Sequence, residues 1–477
     1  MNRAPCAAVA AVTAAVAVAL LAGCATTSEP APAAWANAPV AWQTPLPHGG
    51  SSTDLTQWWA RFNDPLLLAL QAAAQQASPT LAGARARIER ARAAQAAAGA
   101  AGMPRLDAVA SASTARPTPG QPTASMASMG LQAAWELDLF GAVAAGRDAA
   151  QARLAGAQAG WHEARVSVAA EVAGSYTALR ACQAQLDQSQ LDSASRAETA
   201  RLTDASAGAG FTAPADAALA RAGAAQSRSL ALAQQAQCDT LVKGLVEITD
   251  LPEPELRQRL AAGTAKLPQP APVAVASLPA SLLGQRPDLA DAARAVAAAA
   301  GDQRQSQARE RPQVSLSGSL AAVGLRSAGL TSSGTTWSVG PLVVSLPIFD
   351  GGARAASTVV ARAGYDEAVA LYGAQLRRAV REVETALVAL DSTAARELDA
   401  EAAARDFEAA LRGTQARQQG GLASLLDLEA ARRNAVQAHS ALIELQRQRV
   451  AAWIALYRAL GGGWSAADPV PIAAAPP

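Results

Sequence analysis

The sequence predicts an α+β chain built as two copies of one unit, and three observations predict it. Proline-bounded blocks recur about 208 to 211 residues apart. Proline-free runs far longer than a globular core uses lie between Pro122 and Pro214 and between Pro347 and Pro469. Four further stretches alternate apolar with small polar residues, the period of a strand with two different faces.

The repeat sets the order of elements. Pro79-Thr80-Leu81 opens an Ala/Arg-rich helical stretch to Pro104, Pro287-Asp288-Leu289 opens another to Pro312, and each spans 25 residues from proline to proline. Both lead into alternating sequence that ends at an apolar corner, Leu139-Phe140-Gly141 in the first copy and Ile348-Phe349-Asp350-Gly351-Gly352 in the second. A long helical run follows, broken at Gly210 to Asp216 and again at Gly421 to Asp427, with Arg221 and Arg432 each five residues beyond the Asp. A repeat of such long elements points to symmetric architecture rather than to one catalytic pocket. The expected divisions are a signal peptide (1–23), a tether (24–55), a first repeat (56–250), a joining segment (251–284), a second repeat (285–463) and a tail (464–477).

The N-terminus fixes the compartment. An apolar stretch from Ala7 to Ala22 follows Arg3, too short for a bilayer span and suited to a signal peptide. It closes on Leu21-Ala22-Gly23-Cys24, which resembles the lipobox of bacterial lipoproteins. That resemblance implies that Cys24 becomes the mature N-terminus and carries N-acyl and diacylglycerol lipid, and Ala25 in the next position implies sorting to the outer membrane. The alternative is an ordinary secretory signal with a chance cysteine. One lipidated site anchors a chain without spanning the bilayer.

Composition narrows the class further. A formal net charge of +1, 4% aromatic residues and the lack of any basic tract argue against nucleic acid as a partner. No mature segment offers ~18 uncharged apolar residues, so no transmembrane helix is expected. No cofactor beyond the Cys24 lipid is expected. What remains is a periplasmic lipoprotein or an outer-membrane protein built from strands.

Heptad spacing marks the helical runs as coiled coil: Leu154, Trp161 and Val168 on one line, Val172, Leu179 and Leu186 on a neighbouring one, and Leu376, Val380, Val383, Leu387 and Leu390 in the second copy. A helix from Ala142 to Gly208 would be ~100 Å long at 1.5 Å per residue. Gly156 and Gly160 are placed to let a second helix approach. Each copy therefore reads as a helical hairpin, turned at Gly210 and at Gly421.

The strands are expected at Leu106 to Ser113, Met126 to Phe140, Val314 to Leu320 and onward from Trp337, long enough for tilted membrane strands of ~9–11 residues. Four strands cannot span a bilayer alone, because an open sheet leaves unpaired backbone groups in lipid. Other subunits must complete the barrel.

Several segments together resemble the TolC-like outer-membrane factor family, in the lipoprotein branch found in tripartite efflux systems. They are Trp58-Trp59-Ala60-Arg61-Phe62-Asn63-Asp64-Pro65, Trp135-Glu136-Leu137-Asp138-Leu139-Phe140-Gly141, Arg286-Pro287-Asp288-Leu289, Ser345-Leu346-Pro347-Ile348-Phe349-Asp350-Gly351-Gly352 and Ser424-Leu425-Leu426-Asp427. The resemblance implies a homotrimer in which each chain gives four strands to one twelve-stranded outer-membrane barrel, continued by a long periplasmic α-helical coiled-coil barrel. It also implies a passive exit duct for drugs or other small molecules, met by a periplasmic adaptor and powered by an inner-membrane pump, proton-driven in the drug-export case. A type I protein-secretion channel is the alternative within that class. A non-channel structural envelope lipoprotein is the alternative outside it.

The resemblance also assigns roles. Asp427 matches the family's constricting aspartate ring, and Asp216 is its counterpart in the first copy; the alternative for both is helix N-capping after a glycine turn, and the pore role is favoured at Asp427. Ser424 stands where some members carry a second Asp. Gly210, Phe211, Gly421, Leu422 and Leu425 are the expected exposed tip residues that meet the adaptor, the alternative being turn formation alone. Residues near Gln415 and Gly420 differ from the pair that locks the closed state in some members.

Cys182 and Cys238 remain after Cys6 leaves with the signal and Cys24 takes lipid. Their midpoint is residue 210, so a hairpin folded there sets them at one height, and the oxidising periplasm favours a disulfide; two separately buried thiols are the alternative. The phosphate-loop-like spacing from Gly141 to Asp148 carries Arg147 and Asp148 where Lys and Ser/Thr are required, which disfavours nucleotide. The scattered His48, His162 and His439 make no metal or nucleophile pattern, so no enzyme activity is expected.

Overall fold

The computed structural model describes residues 55–116, 122–270 and 284–464. Cys24, His48, the signal peptide, the tether up to residue 54 and the tail beyond Trp464 lie outside these residues. After a short 3-10 helix (Leu55–Phe62) come α1 (Pro65–Ala77), α2 (Pro79–Ala100), β1 (Arg105–Ala115), β2 (Ala124–Leu137), α3 (Ala142–Gly208), α4 (Pro214–Thr249) and α5 (Glu253–Ala261). The second half supplies α6 (Pro287–Ala308), β3 (Gln313–Ser327), β4 (Leu330–Ser345), α7 (Ala353–Gln419) and α8 (Leu425–Ala459). Corresponding helices agree in length: 22 residues for α2 and α6, 67 for α3 and α7, 36 and 35 for α4 and α8. The joining segment holds a helix of its own, α5, and β2 stops three residues short of the expected Phe140.

The chain divides into two compact units, each drawing on both copies of the repeat. Of the described residues, one contains 88–116, 122–157 and 292–372, the other 55–87, 158–270, 284–291 and 373–464. In the first, the strands form one antiparallel sheet in the order β1-β2-β3-β4. Leu131 pairs with Leu320, and Leu320 in turn with Trp337, so the copies meet along β2 and β3. The ladder slips between Leu316 and Gly318, opposite Gly340 and Pro341, where proline has no N–H to give. Val314 is the only buried strand residue among those described. Met129, Trp337 and Val339 are all exposed.

Capping explains where the 67-residue helices begin. Asp138 accepts from the amides of Val143 (3.1 Å) and Ala144 (2.8 Å), and Asp350 from those of Gly352 (2.9 Å) and Arg354 (3.2 Å). Each carboxylate satisfies donors that a helix start leaves without partners. Within the same unit a close helix approach falls at Gly301, where a Cβ would stand 2.8 Å from that of Ala149 and 3.1 Å from Ala145 O. In the second unit Gly160 faces α6, and a Cβ there would meet Asp291 Oδ2 at 3.7 Å, an ordinary contact.

In the second unit the heptad lines become core. Trp161, Val168, Val172 and Leu179 are buried on α3, as are Leu376, Val383, Leu387 and Leu390 on α7, while Val380 packs against the cluster of Leu289, Leu376 and Ala379. Trp58 packs on Trp453 and Tyr457, and Trp59 on Tyr457 at 4.6 Å, which ties the start of the described chain to α8. Trp464, expected as the first residue of the tail, is instead buried with its ring 5.9 Å from that of His162. An indole there removes more apolar surface from water than a solvated tail position allows. Among the described residues no helix is long and apolar enough to cross a membrane.

Candidate functional site: the hairpin tips and the charges behind them

Both hairpin turns lie in the second unit, and they close the same way. Gly210 (φ 80°) and Gly421 (φ 70°) take the left-handed conformation that glycine adopts without steric cost. The amide of Phe211 donates to Ser206 O at 2.9 Å and that of Leu422 to Arg417 O at 2.8 Å, the six-to-one bond of a Schellman motif. This sends Phe211 and Leu422 into solvent, 86% and 79% exposed. Leu425 was expected among the exposed tip residues but is half-buried at the first position of α8, and Leu426 takes the exposed place. One residue along a helix turns the side chain by about 100°, enough to exchange the two.

The helices leaving the turns start differently. On α8 the N-cap is Ser424, whose Oγ accepts from the Asp427 amide at 3.1 Å, while Asp427 Oδ2 accepts from the Ser424 amide at 2.9 Å and its hydroxyl at 2.6 Å. This is a complete capping box. The Ser424 hydroxyl, then its backbone N–H, hold the Asp427 carboxyl below its ordinary pKa. On α4 the N-cap is Ala213 with no side-chain bond, Pro214 occupies the first turn, and Asp216 is exposed. Neither aspartate is itself an N-cap. Both sit three residues after the cap, because Ser424 and Ala213 hold the boundary position with extended backbone.

Cys182 on α3 and Cys238 on α4 face each other with Cα atoms 5.6 Å apart and their sulfurs bonded. Gln234 beside them donates to Gln185 Oε1 at 3.3 Å.

A charge cluster that the sequence reading missed joins the hairpins. Arg196 on α3 donates to Asp192 at 2.8 Å and pairs with Glu429 on α8; Arg432 donates to Glu429 at 2.8 Å and to Thr199 Oγ1 at 3.0 Å. Glu429 and Arg432 are buried. A signal was present in the sequence: Arg221 and Arg432 are repeat partners, yet only the second has a Glu three residues before it, the first having Ala218. In the structure Arg221 pairs with Asp204 inside its own hairpin, where Arg221 is exposed and Asp204 half-buried.

Two further arginines fasten the middle of this unit. Arg180, 1% exposed, donates to the Tyr176 hydroxyl (3.0 Å), to Leu260 O (2.9 Å) and to Ala262 O (2.8 Å), holding the end of α5 against α3. Arg286 forks onto Asp288 at 2.9 and 2.7 Å and reaches Glu382 and Ala459 O, both at 2.8 Å. Burial alone would raise the Asp288 carboxyl, but the hydrogen bonds and charge of Arg286 hold it below its usual value. Glu163, lining the same small polar cleft, is pushed up by burial and by Asp288 and Asp291. The glycine-spaced stretch from Gly141 to Asp148 is no phosphate loop: Ala142 onward is α3, with Gly146 against Gln305.

Exposed tips on paired helices and a sheet open at both edges are the features that comparison can test. The sequence matches the outer membrane efflux protein family over residues 70–249 and 278–462. The chain belongs to that family. This efflux protein is 29% identical over 444 residues to the solvent efflux pump outer membrane protein SrpC of Pseudomonas putida, covering 89% of the chain and 92% of the relative. It is 32% identical over 343 residues to outer membrane protein OprJ of Pseudomonas aeruginosa, covering 69% and 68%. Among solved structures, the outer-membrane channel OprN aligns with a TM-score of 0.78 at 27% identity, over 89% of this chain and 97% of that one. VceC of Vibrio cholerae aligns with 0.74 at 27% identity, over 86% and 99%. The efflux protein is thus an outer-membrane channel component that extends into the periplasm.

Proposed function

We infer that the chain is the exit duct of a tripartite efflux pump, a homotrimer whose twelve strands close one outer-membrane barrel and whose helices continue it as a periplasmic tunnel. The observation that carries this reading is the sheet: four antiparallel strands, β1 and β4 open at the edges, with one buried residue among them. Unpaired backbone groups are intolerable in lipid, so more strands must join, and identical chains are the economical source. The count of three comes from the family resemblance.

The remaining roles follow from this frame. Cys24, carrying N-acyl and diacylglycerol lipid, anchors the mature N-terminus. Phe211 and Leu422, set at the tips by Gly210 and Gly421, meet a periplasmic adaptor, with Leu425 packed behind them. A proton-driven inner-membrane pump supplies the energy. Asp427, with Asp216, rings the tunnel's end, where crowded carboxylates repel one another and draw cations. Drugs and other small molecules are the cargo; the names of two Pseudomonas putida relatives, a solvent and a toluene efflux pump outer membrane protein, support that class.

Native mass spectrometry of the mature protein should give three chains per particle and lipid mass at Cys24, and the particles should conduct in planar bilayers. Monomers that carry no current would overturn the reading. Complementing a deletion strain with wild type or Cys24→Ala across a compound panel then identifies the cargo and the need for the anchor.

A further inference from the structure

We propose that Arg326, with Thr114, Ser125 and Thr331 beside it on the outer face of the sheet, binds the phosphate of an outer-leaflet membrane lipid. The proposal rests on the trimeric barrel described above. Directly opposed residues of a ladder lie on one face, so the register sorts the sheet into two faces. One carries Leu106, Met129, Leu131, Leu320, Trp337 and Val339. The other carries Asp107, Gln132 and the serine pairs Ser111–Ser128 and Ser319–Ser338, whose hydroxyls meet at 2.8 and 2.9 Å. Lipid accepts the apolar face, which leaves the polar one to the aqueous interior.

The apolar face ends, at the sheet's hairpin end, in a row made of Thr114, Ser125, Arg326 and Thr331, one residue from each strand. Thr114 Oγ1 and Ser125 Oγ lie 3.0 Å apart. The four line a shallow groove of about 400 Å³, kept open by Ala112, Ala127 and Gly324 in the next row. The row also stands at the right height. Trp135 lies on the same face at the helix-joined end, with its indole N–H on Gly102 O at 3.1 Å, and Ser125 is ten residues away along β2. At about 3.3 Å per residue and a tilt of about 40°, that is about 25 Å, the height of a membrane barrel's apolar band. Trp135 thus marks one border of the bilayer and Arg326 the other. From Ala108 to Trp135 and from Gln313 to Phe349 there is no Asp or Glu, and the only charges are Arg116 and Arg326, both exposed. A guanidinium forks onto phosphate, and the flanking hydroxyls can donate to its remaining oxygens. A cation at the border costs little to place and is drawn to anionic headgroups. Cargo inside the duct cannot reach this face, which leaves lipid as the source of the phosphate.

The test titrates purified trimers in detergent with lipid A, a phosphorylated glycolipid, and reads bound lipid by native mass spectrometry, which also confirms that each variant is a trimer. Wild-type particles must first be trimeric and conduct; failure at that step removes the barrel itself and is seen before any lipid is added. Arg326→Gln should weaken lipid A binding about fivefold or more, with Arg326→Lys in between because an ammonium cannot fork. Lipid A stripped of its phosphates should bind wild type no better than lipid A binds Arg326→Gln. Arg105→Gln removes a positive charge from the polar face at the opposite end and should bind lipid A like wild type. Equal losses in Arg326→Gln and Arg105→Gln would reveal net charge alone, and displacement of the lipid by millimolar inorganic phosphate would reveal a free-anion site. Either result would overturn the proposal, as would unchanged affinity in Arg326→Gln.

Discussion

The hydroxyl of Tyr176 donates to Asp64 Oδ2 at 2.7 Å, and the other oxygen of that carboxylate starts α1 by accepting from the amides of Leu66 (3.0 Å) and Leu67 (3.2 Å). Burial first, and donation to Asp64 second, push the Tyr176 phenol up to about 12. A raised pKa means that the folded state holds the proton longer than the unfolded one. Its contribution is complete below the ordinary phenol value and is lost as pH climbs to about 12. Alkaline unfolding should therefore begin earlier in wild type than its neutral stability suggests, and Tyr176→Phe should flatten that limb. Asp64→Ala, which removes cap and acceptor together, should cost about 1–3 kcal/mol in thermal unfolding.

Asp427 offers a way to separate a charge in the pore from a cap on a helix. Asp427→Asn keeps an oxygen that can accept from Ser424 but discards the charge, while Asp427→Ala loses both. If the ring acts through charge, both variants lose cation preference in bilayer recordings to the same degree, and only the alanine speeds amide exchange at the start of α8. Equal ion preference in Asp427→Asn and wild type would remove the gating role. The carboxyl is held low, so the capping contribution is present above the ordinary carboxylate range and fades as pH falls through the lowered value. Protection of the Ser424 and Asp427 amides, relative to their intrinsic exchange rates, should fall on acidification in wild type and much less in Asp427→Asn.

Glycine substitutions should split by environment. Gly301→Ala forces a Cβ to within 2.8 Å of Ala149 and should destabilise by about 1–3 kcal/mol. Gly83→Ala, an exposed helical site with nothing within 4 Å, should stabilise by about 0.4–1 kcal/mol. Thermal unfolding of the two single variants is sufficient to read the difference.

Arg286→Ala should be among the costliest single changes. It takes the forked guanidinium from Asp288, leaving that largely buried carboxylate with the Gln375 amide, removes one of the two arginines at Glu382 and leaves Ala459 O without its donor, for a loss of about 3–5 kcal/mol. Arg286→Lys should recover only part of this, because an ammonium cannot fork onto Asp288. Refolding yields and urea midpoints of the two variants make the comparison.

Removal of the Cys182–Cys238 bond, by Cys238→Ser or by reductant, should lower stability by about 2–4 kcal/mol, since the bridge closes a loop of 56 residues. Non-reducing mass spectrometry of mature protein should find the two cysteines in one linked peptide pair. Two free thiols would defeat the pairing.

Long-period features were legible in the sequence, and short-range geometry was not. Proline spacing and heptads located α3, α4, α7 and α8 and the turns at Gly210 and Gly421, because a helix of 67 residues repeats its signal many times. Alternation located all four strands but missed the end of β2, where Asp138 belongs to the next helix as its cap, and the far half of the second hairpin, where β3 runs past Leu320 to Ser327 and β4 begins at Leu330 instead of near Trp337. Leu425 and Leu426 are indistinguishable by composition, and only the phase of α8 sets which faces solvent. The quartet around Glu429 was legible only in part. The departure from the repeat at Glu429 is local and visible, but Arg196 and Thr199 lie 233 residues from their partners Glu429 and Arg432, and no local pattern reports that pairing.

The equal 67-residue lengths of α3 and α7 act as a ruler that neither copy can alter alone. Deleting one residue from the middle of α7 would turn every later side chain by about 100° and draw it back by about 1.5 Å, taking Leu387 and Leu390 out of the core. Removing a whole heptad would restore the face but leave the two tips about 10 Å out of step. Length changes in this family member are therefore tolerated as matched pairs of heptads or not at all, which makes helix length a quantity inherited jointly by both halves of the chain.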